Sequence, residues 1–198
     1  KGRVARRTRP HGARDMSKPD RDTIFALSSG RGPAGVAVIR LSGPHGAAAV
    51  AALTRKPLPP PRNAVLRSMY DFPNHNRIDT VLLLHFAAPA SYTGEDVVEI
   101  QAHGGRAVVA ALLADLARPP GLRPAEPGEF TRRAVENGRL DLLQAEAVAD
   151  LVAAETEVQR RQALGQLEGH LSAVYQTWRS ELIRAGAWAE SLIDLPDE

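Results

Sequence analysis

From Asp141 to Leu195 the chain contains no proline, and its apolar residues recur at intervals of three and four: Leu143, Ala147, Leu151, then Leu164, Leu167, Leu171, Val174, Trp178 and Leu182. That period marks one face of an α-helix. Only Gly165, Gly169 and Gly186 interrupt it, so the spacing predicts one long helix or two stacked ones, ending at Pro196. Asp141, with Gln144 three positions on, resembles a capping box that opens this segment. A helix with a single apolar stripe needs a partner to bury it, and the sequence supplies no second long helix. The expectation is a helical domain whose remaining helices follow Glu198, in preference to a chain that dimerises through this stripe.

Upstream of Pro127 the pattern is different. Residues 23–28 (TIFALS) and 35–42 (GVAVIRLS) read as strands around a glycine-rich turn. GPHGAAAVAALT reads as a helix from near Pro44, and KPLPPPR as loop or polyproline. Residues 64–72 and 78–86 suggest a hairpin, and Val97 onward alternates as a further strand. RAVVAALLADLAR follows as a helix, GLRPAE as a short strand, and EFTRRAVEN as a short helix closed by Gly138. The order strand-strand-helix-strand-strand-strand-helix-strand predicts an α+β domain with a mixed sheet.

Charge separates the N-terminus from the rest. Residues 1–15 hold six of the 25 Lys and Arg residues and one Asp; the remainder carries 19 basic and 22 acidic side chains, a net of −3 against +2 for the whole chain. The first 20 residues are expected to be a basic disordered tail, with Met16 a plausible natural start. Without cysteine, neither a disulfide framework nor a thiolate metal site can form, which suits the cytosol. No apolar run approaches the length of a membrane span.

The chemistry-bearing motifs divide into exclusions and open candidates. GRGPAG at 30–35 matches the dinucleotide fingerprint, but that motif requires a helix after it, and here a strand follows. A phosphate-binding G-x-x-x-x-G-K-S/T loop is absent, and the six histidines show no metal-ligand spacing. Alternation puts Arg40 on a face with Val36 and Val38, and Glu99 on a face with Val97, Gln101 and His103. Arg40 is either a snorkelling surface residue or an anion clamp. Glu99 is either a solvated carboxylate or a bidentate acceptor for adjacent N–H donors. Arg139, in NGRLD between two helices, either complements a helix end or binds a ligand. The pattern leaves all three open. His103-Gly104-Gly105 opens a helix, whose free N–H groups are a weaker anion candidate.

Four segments taken together carry a resemblance: DTIFALSSGRGPAGVAVIRLSG, YTGEDVVEIQAHGG, RPAEPGEFTRRAVENGRLDLLQAEAVADLVAAET and IDLPDE. In order and spacing, from Asp22 to Glu198, they resemble the start of the MnmE (TrmE) family of tRNA-modifying GTPases. The resemblance implies a tetrahydrofolate-binding and dimerising α+β domain over residues 21–127, and the first part of a helical domain over 128–198. It also implies a GTPase domain, with its GTP, Mg and K, absent from this chain, and no catalytic residue within it. The family's C-terminal cysteine is likewise missing. By motif, the folate contacts fall on Arg40, Glu99 and Arg139, the folate being 5-formyl- or 5,10-methylene-tetrahydrofolate. The implied partners are a second copy, the FAD-dependent protein MnmG (GidA) and tRNA, with no membrane, in the cytoplasm. The implied product is a carboxymethylaminomethyl group on the wobble uridine.

This chain departs from the family pattern at Pro33 and Ala34 in the glycine turn, at Ala102, at Tyr92 where the family has Phe, and at Arg139 where many members have Lys. Two other functions fit parts of the pattern: a stand-alone folate-dependent aminomethyltransferase, and a dimerisation scaffold with no ligand.

Overall fold

The computed structural model describes residues 22–30 and 32–194; the expected basic tail and the closing LPDE lie outside the described residues. The order of elements through residue 124 is the expected one. It runs β1 (Thr23–Leu27), β2 (Ala34–Ser42), α1 (Gly46–Thr54), β3 (Val65–Tyr70), β4 (Arg77–Phe86), β5 (Val97–Gly104), α2 (Arg106–Leu116) and β6 (Leu122–Pro124). The strands form one six-stranded sheet, in the order β3-β4-β5-β2-β1-β6. Among the described residues only the β1–β6 pair is parallel; the other four pairs are antiparallel. The fold is therefore α+β with a mixed sheet.

Alternation along the central strands decides what each sheet face can do. Ile39 and Leu41 of β2, Val81 and Leu83 of β4, and Val98 and Ile100 of β5 are all buried in one apolar cluster. Val50 and Leu53 of α1 and Leu112 and Leu116 of α2 complete it, so both helices cover that face. Truncating a side chain as enclosed as Ile39, at 0% exposure, costs roughly 2–5 kcal/mol. The intervening residues point to the opposite face: Arg40 and Val38 on β2, Glu99 and Gln101 on β5, Leu82 and Leu84 on β4. His103 is 74% exposed, as the alternation predicts, whereas Val97, assigned to the same outer set, is buried at 2%.

Downstream lie α3 (Glu129–Glu136), α4 (Leu142–Ala153), α5 (Glu157–Leu167) and α6 (His170–Asp194). The expectation of one or two helices after Asp141 is corrected to three. Ala154 turns extended, and Thr156 starts α5 with its own capping box, its side chain and that of Gln159 each accepting from the other's backbone N–H. Gly169, at φ 86°, closes α5 in a conformation glycine adopts without strain. Gly165 and Gly186 simply continue their helices. The box predicted at Asp141 and Gln144 is present, and Asp141 also accepts from Ser172 Oγ at 2.6 Å, which ties the start of α4 to α6. Along α6, Trp178, Leu182 and Trp188 are exposed, so among the described residues nothing buries this part of its apolar stripe.

Candidate functional site

Arg40 and Glu99 are cross-strand partners. β2 and β5 pair in register with Arg40 opposite Glu99, and directly opposed side chains in an antiparallel pair lie within contact distance. The Nε and Nη2 atoms of Arg40 donate to Glu99 Oε1 at 3.0 and 2.8 Å. Both side chains are part-buried, Arg40 at 26% and Glu99 at 17% exposure. Both donors land on one oxygen, so the second keeps acceptor capacity. Two rings flank the guanidinium: Arg40 Cζ lies 5.2 Å from the centroid of Tyr92 and 5.7 Å from that of Phe130, within cation–π range. Tyr92 is steadied through its hydroxyl, 2.9 Å from Thr131 Oγ1. The site thus joins β2, β5, the 91–96 loop and the start of α3.

Arg139 reaches the same loop by packing rather than by an ion pair. Gly94 has φ 77°, and a Cβ there would sit 3.1 Å from both Arg139 Cγ and Asn137 Cβ. Asn137 Nδ2 donates to Thr93 O at 2.7 Å. The end of α3 is thereby pinned to the loop, with the stem of Arg139 against Gly94. The three residues singled out in the sequence fall into one direct pair, Arg40 with Glu99, and one neighbour attached through the 91–96 loop.

A buried ionic chain holds the loop in place. Ser42 Oγ lies 2.7 Å from Thr93 Oγ1 and donates to Glu95 Oε2 at 2.7 Å. Arg133 Nη1 donates to Glu95 Oε2 at 3.0 Å and to Asp22 O at 3.0 Å, and its Nη2 to Glu129 Oε1 at 3.2 Å. Glu129, 1% exposed, also accepts from Arg123 at 2.6 and 2.9 Å and from the Glu126 N–H at 2.9 Å. The Arg123 bonds are the main cause that draws its carboxyl down from 4.5 to about 2, against the opposing effect of burial. Sequence reading overlooked Glu95, Phe130, Arg133 and Glu129 as contributors to the site. The available signal was Glu129 and Arg133 at i and i+4 on one helix.

Residues 23–139 match the family model described as the GTP-binding protein TrmE N-terminus, and residues 142–198 match the MnmE helical domain. The chain belongs to the MnmE (TrmE) family. A protein of Parvibaculum lavamentivorans named tRNA modification GTPase MnmE is 57% identical over 177 residues, covering 89% of this chain and 40% of that protein. One of Caulobacter vibrioides with the same name is 56% identical, covering 89% of this chain and 39% of the relative. A Danio rerio protein, named as the mitochondrial subunit GTPB3 of a 5-taurinomethyluridine-tRNA synthase, is 52% identical, covering 91% of this chain and 36% of the relative. The chain thus spans about two fifths of the length of these curated MnmE-family relatives.

Arg40, Glu99 and Arg139 all lie within the stretch matched to the TrmE N-terminus. So do the glycine turn and the His103-Gly104-Gly105 sequence. Gly32 has φ 121°, and a Cβ at Gly30, Gly32 or Gly35 would meet nothing within 4 Å, so this MnmE-family turn borders open space. Gly104 is the opposite case: a Cβ would sit 2.9 Å from the Ala34 carbonyl carbon, so β2 passes too close for any side chain. Gly105 is the N-cap of α2 with no side-chain cap bond. His103 Nδ1 lies 2.8 Å from Asp79 Oδ1. Among the described residues no cluster of His, Asp or Glu is arranged to hold a metal ion, and no helix is long and apolar enough to cross a membrane.

Proposed function

We propose that this chain is the folate-binding and dimerising portion of a tRNA-modifying GTPase of the MnmE family. The observation that carries the reading is the Arg40–Glu99 pair on the sheet face opposite α1 and α2, flanked by Tyr92 and Phe130. The donor set suits a pterin. Its aminopyrimidinone edge offers adjacent N–H donors to a carboxylate whose second oxygen keeps acceptor capacity beside Arg40. Its flat ring suits the aromatic side chains that already stack on the guanidinium. Arg139, a cation beside the same loop, suits a ring carbonyl or the carboxylates of the glutamate tail. When bound, a 5-formyl- or 5,10-methylene-tetrahydrofolate supplies the one-carbon unit. Glu99 orients it, Arg40 fixes Glu99, and the rings exclude water from the polar edge.

In the intact protein the reading extends further. A second copy docks through the N-terminal domain, and a GTPase domain outside this chain binds GTP with Mg and K. With the flavoprotein MnmG, the assembly installs carboxymethylaminomethyl on the wobble uridine of tRNA in the cytoplasm. The names of the bacterial relatives, tRNA modification GTPase, support that reaction class.

Titration calorimetry of the chain with 5-formyltetrahydrofolate tests the site, with the association state followed by sedimentation. The expected result is saturable binding to a dimer, weakened by about tenfold or more in Glu99→Ala, as befits loss of a charge-assisted hydrogen-bond pair. A dimer that takes up no folate would leave the scaffold reading standing. Unchanged affinity in Glu99→Ala would remove Glu99 from the site.

A further inference from the structure

The Arg40–Glu99 pair has an uncommon geometry. Arginine and carboxylate frequently meet fork to fork, with two parallel N–H bonds running to two oxygens. Here Arg40 Nε and Nη2 both land on Glu99 Oε1. Among the described residues nothing bonds Glu99 Oε2 or Arg40 Nη1. Neither atom is shut off from solvent: the unpartnered side-chain atoms that are shut off are Arg67 Nε and His85 Nδ1. The pair therefore keeps one spare acceptor and one spare donor open to solvent.

The register of β2 and β5 does not by itself impose this. It places Arg40 opposite Glu99, but both side chains keep several rotatable bonds. The aromatic wall is what touches the guanidinium, with Arg40 Cζ 5.2 Å from the Tyr92 centroid and 5.7 Å from that of Phe130. The two rings come from separate segments, and those segments are tied beside the rings. Tyr92 Oη lies 2.9 Å from Thr131 Oγ1, and Thr131 follows Phe130 in the first turn of α3. One hydroxyl pair thus sets the spacing of both rings around Arg40.

A half-buried tyrosine hydroxyl usually finds some partner, and water would serve. That accounts for a bond, but not for its falling on the neighbour of the second ring. Nor does the loop need the bond to keep its place. Thr93 and Glu95 already fix the 91–96 backbone through Ser42, Asn137 and Arg133.

We propose that Tyr92 and Thr131 are positioning residues: their hydroxyl pair holds the Arg40 guanidinium on Oε1 alone and so keeps Glu99 Oε2 free for an N–H donor of the ligand. Without that pair the guanidinium turns into the two-oxygen fork, and Oε2 is taken up within the protein. The ligand is the folate of the preceding reading, on which this part of the inference rests. The seat of Arg40 in the free protein does not depend on it.

The test therefore has two readouts. Tyr92→Phe keeps the ring and removes its oxygen; Thr131→Val keeps the shape and removes the hydroxyl. Crystal structures of both variants without folate are expected to show Nε and Nη2 on separate oxygens of Glu99, whereas Thr131→Ser, which keeps a hydroxyl, retains the single-oxygen seat. In calorimetry with 5-formyltetrahydrofolate, Tyr92→Phe and Thr131→Val are each expected to weaken binding about three- to tenfold, as for one net hydrogen bond. Thr131→Ser is expected to bind as wild type does, and the double variant Tyr92→Phe/Thr131→Val no more weakly than either single one. Arg40 still seated on Oε1 alone in both variants, or losses that add in the double variant, would overturn the proposal. Wild-type protein that takes up no folate would sink the folate reading alone, and the seat of Arg40 in the variants would still decide the positioning role.

Discussion

Glu129→Gln is the sharpest test of the buried ionic chain that holds the 91–96 loop. Glu129 is 1% exposed, and its carboxyl is drawn down from 4.5 to about 2, chiefly by Arg123. A carboxyl depressed on folding is protonated more readily in the unfolded chain. Stability from it is therefore fully present above about pH 4.5 and is lost as pH falls through about 2. At roughly 1.4 kcal/mol per pH unit, the difference amounts to about 3 kcal/mol. The amide removes the charge at every pH and keeps the shape. It leaves Arg123 and Arg133 without their shared carboxylate, a loss in the range of about 3–5 kcal/mol known for breaking a buried pair. The assay is denaturant unfolding of wild type and Glu129→Gln from about pH 6 to 2. The gap between them is expected to be about 3 kcal/mol near pH 6 and to close almost completely near pH 2. Taking the difference between the two proteins cancels the other carboxylates. Parallel profiles, with the gap unchanged on acidification, would refute the assignment of that stability to the Glu129 charge.

Two further substitutions probe the frame of the site and of the helical segment. Gly104→Ala puts a Cβ against the Ala34 carbonyl; it is expected to cost about 1–3 kcal/mol as overpacking, seen as a lower thermal midpoint, with increased hydrogen exchange along β2. Asp141→Ala removes the cap of α4 and the Ser172 bond and is expected to cost about 1 kcal/mol. The Asp141 carboxyl is held below its ordinary value, chiefly by the Ser172 hydroxyl, so the stability it lends is present above pH 3.8 and is lost on further acidification. Circular dichroism followed down to about pH 3 is expected to show helix loss that Asp141→Ala lacks.

The strands and their faces were readable because a period of two survives in a single sequence. Val98, Ile100 and Ala102 had to be buried together, and Arg40 and Glu99 had to lie on outward faces. Alternation does not report which strands are neighbours or in what register. Arg40 and Glu99 are 59 residues apart in the chain, and the pair exists only because β5 lies next to β2 with Arg40 opposite Glu99. A one-residue slip would turn Glu99 onto the core face. Burial of charge was less readable still. Glu95, Glu129 and Arg133 look like solvent-facing residues by type, and only the folded chain shows that they satisfy one another. The break before α5 was available in Thr156 and Gln159, but the apolar stripe running through it pointed to continuous helix.

The residues missed at the site, unlike the local break before α5, share one physical origin. Glu95, Glu129 and Arg133 belong to a chain of contacts that joins segments distant in sequence, and that chain holds the 91–96 loop. Tyr92 can flank Arg40 only while Thr93, Gly94 and Glu95 are held by Ser42, Asn137, Arg139 and Arg133. The Arg40–Glu99 pair, by contrast, is anchored in the sheet itself. Weakening the Glu129–Arg133 chain should therefore loosen the aromatic wall before it disturbs the ion pair. In Glu129→Gln at neutral pH, hydrogen exchange should rise first at residues 91–96 and 129–137, while β2 and β5 stay protected. Equal loss of protection in the strands would mean that loop and sheet open as one unit, and that the wall and the carboxylate of the site are not separately adjustable.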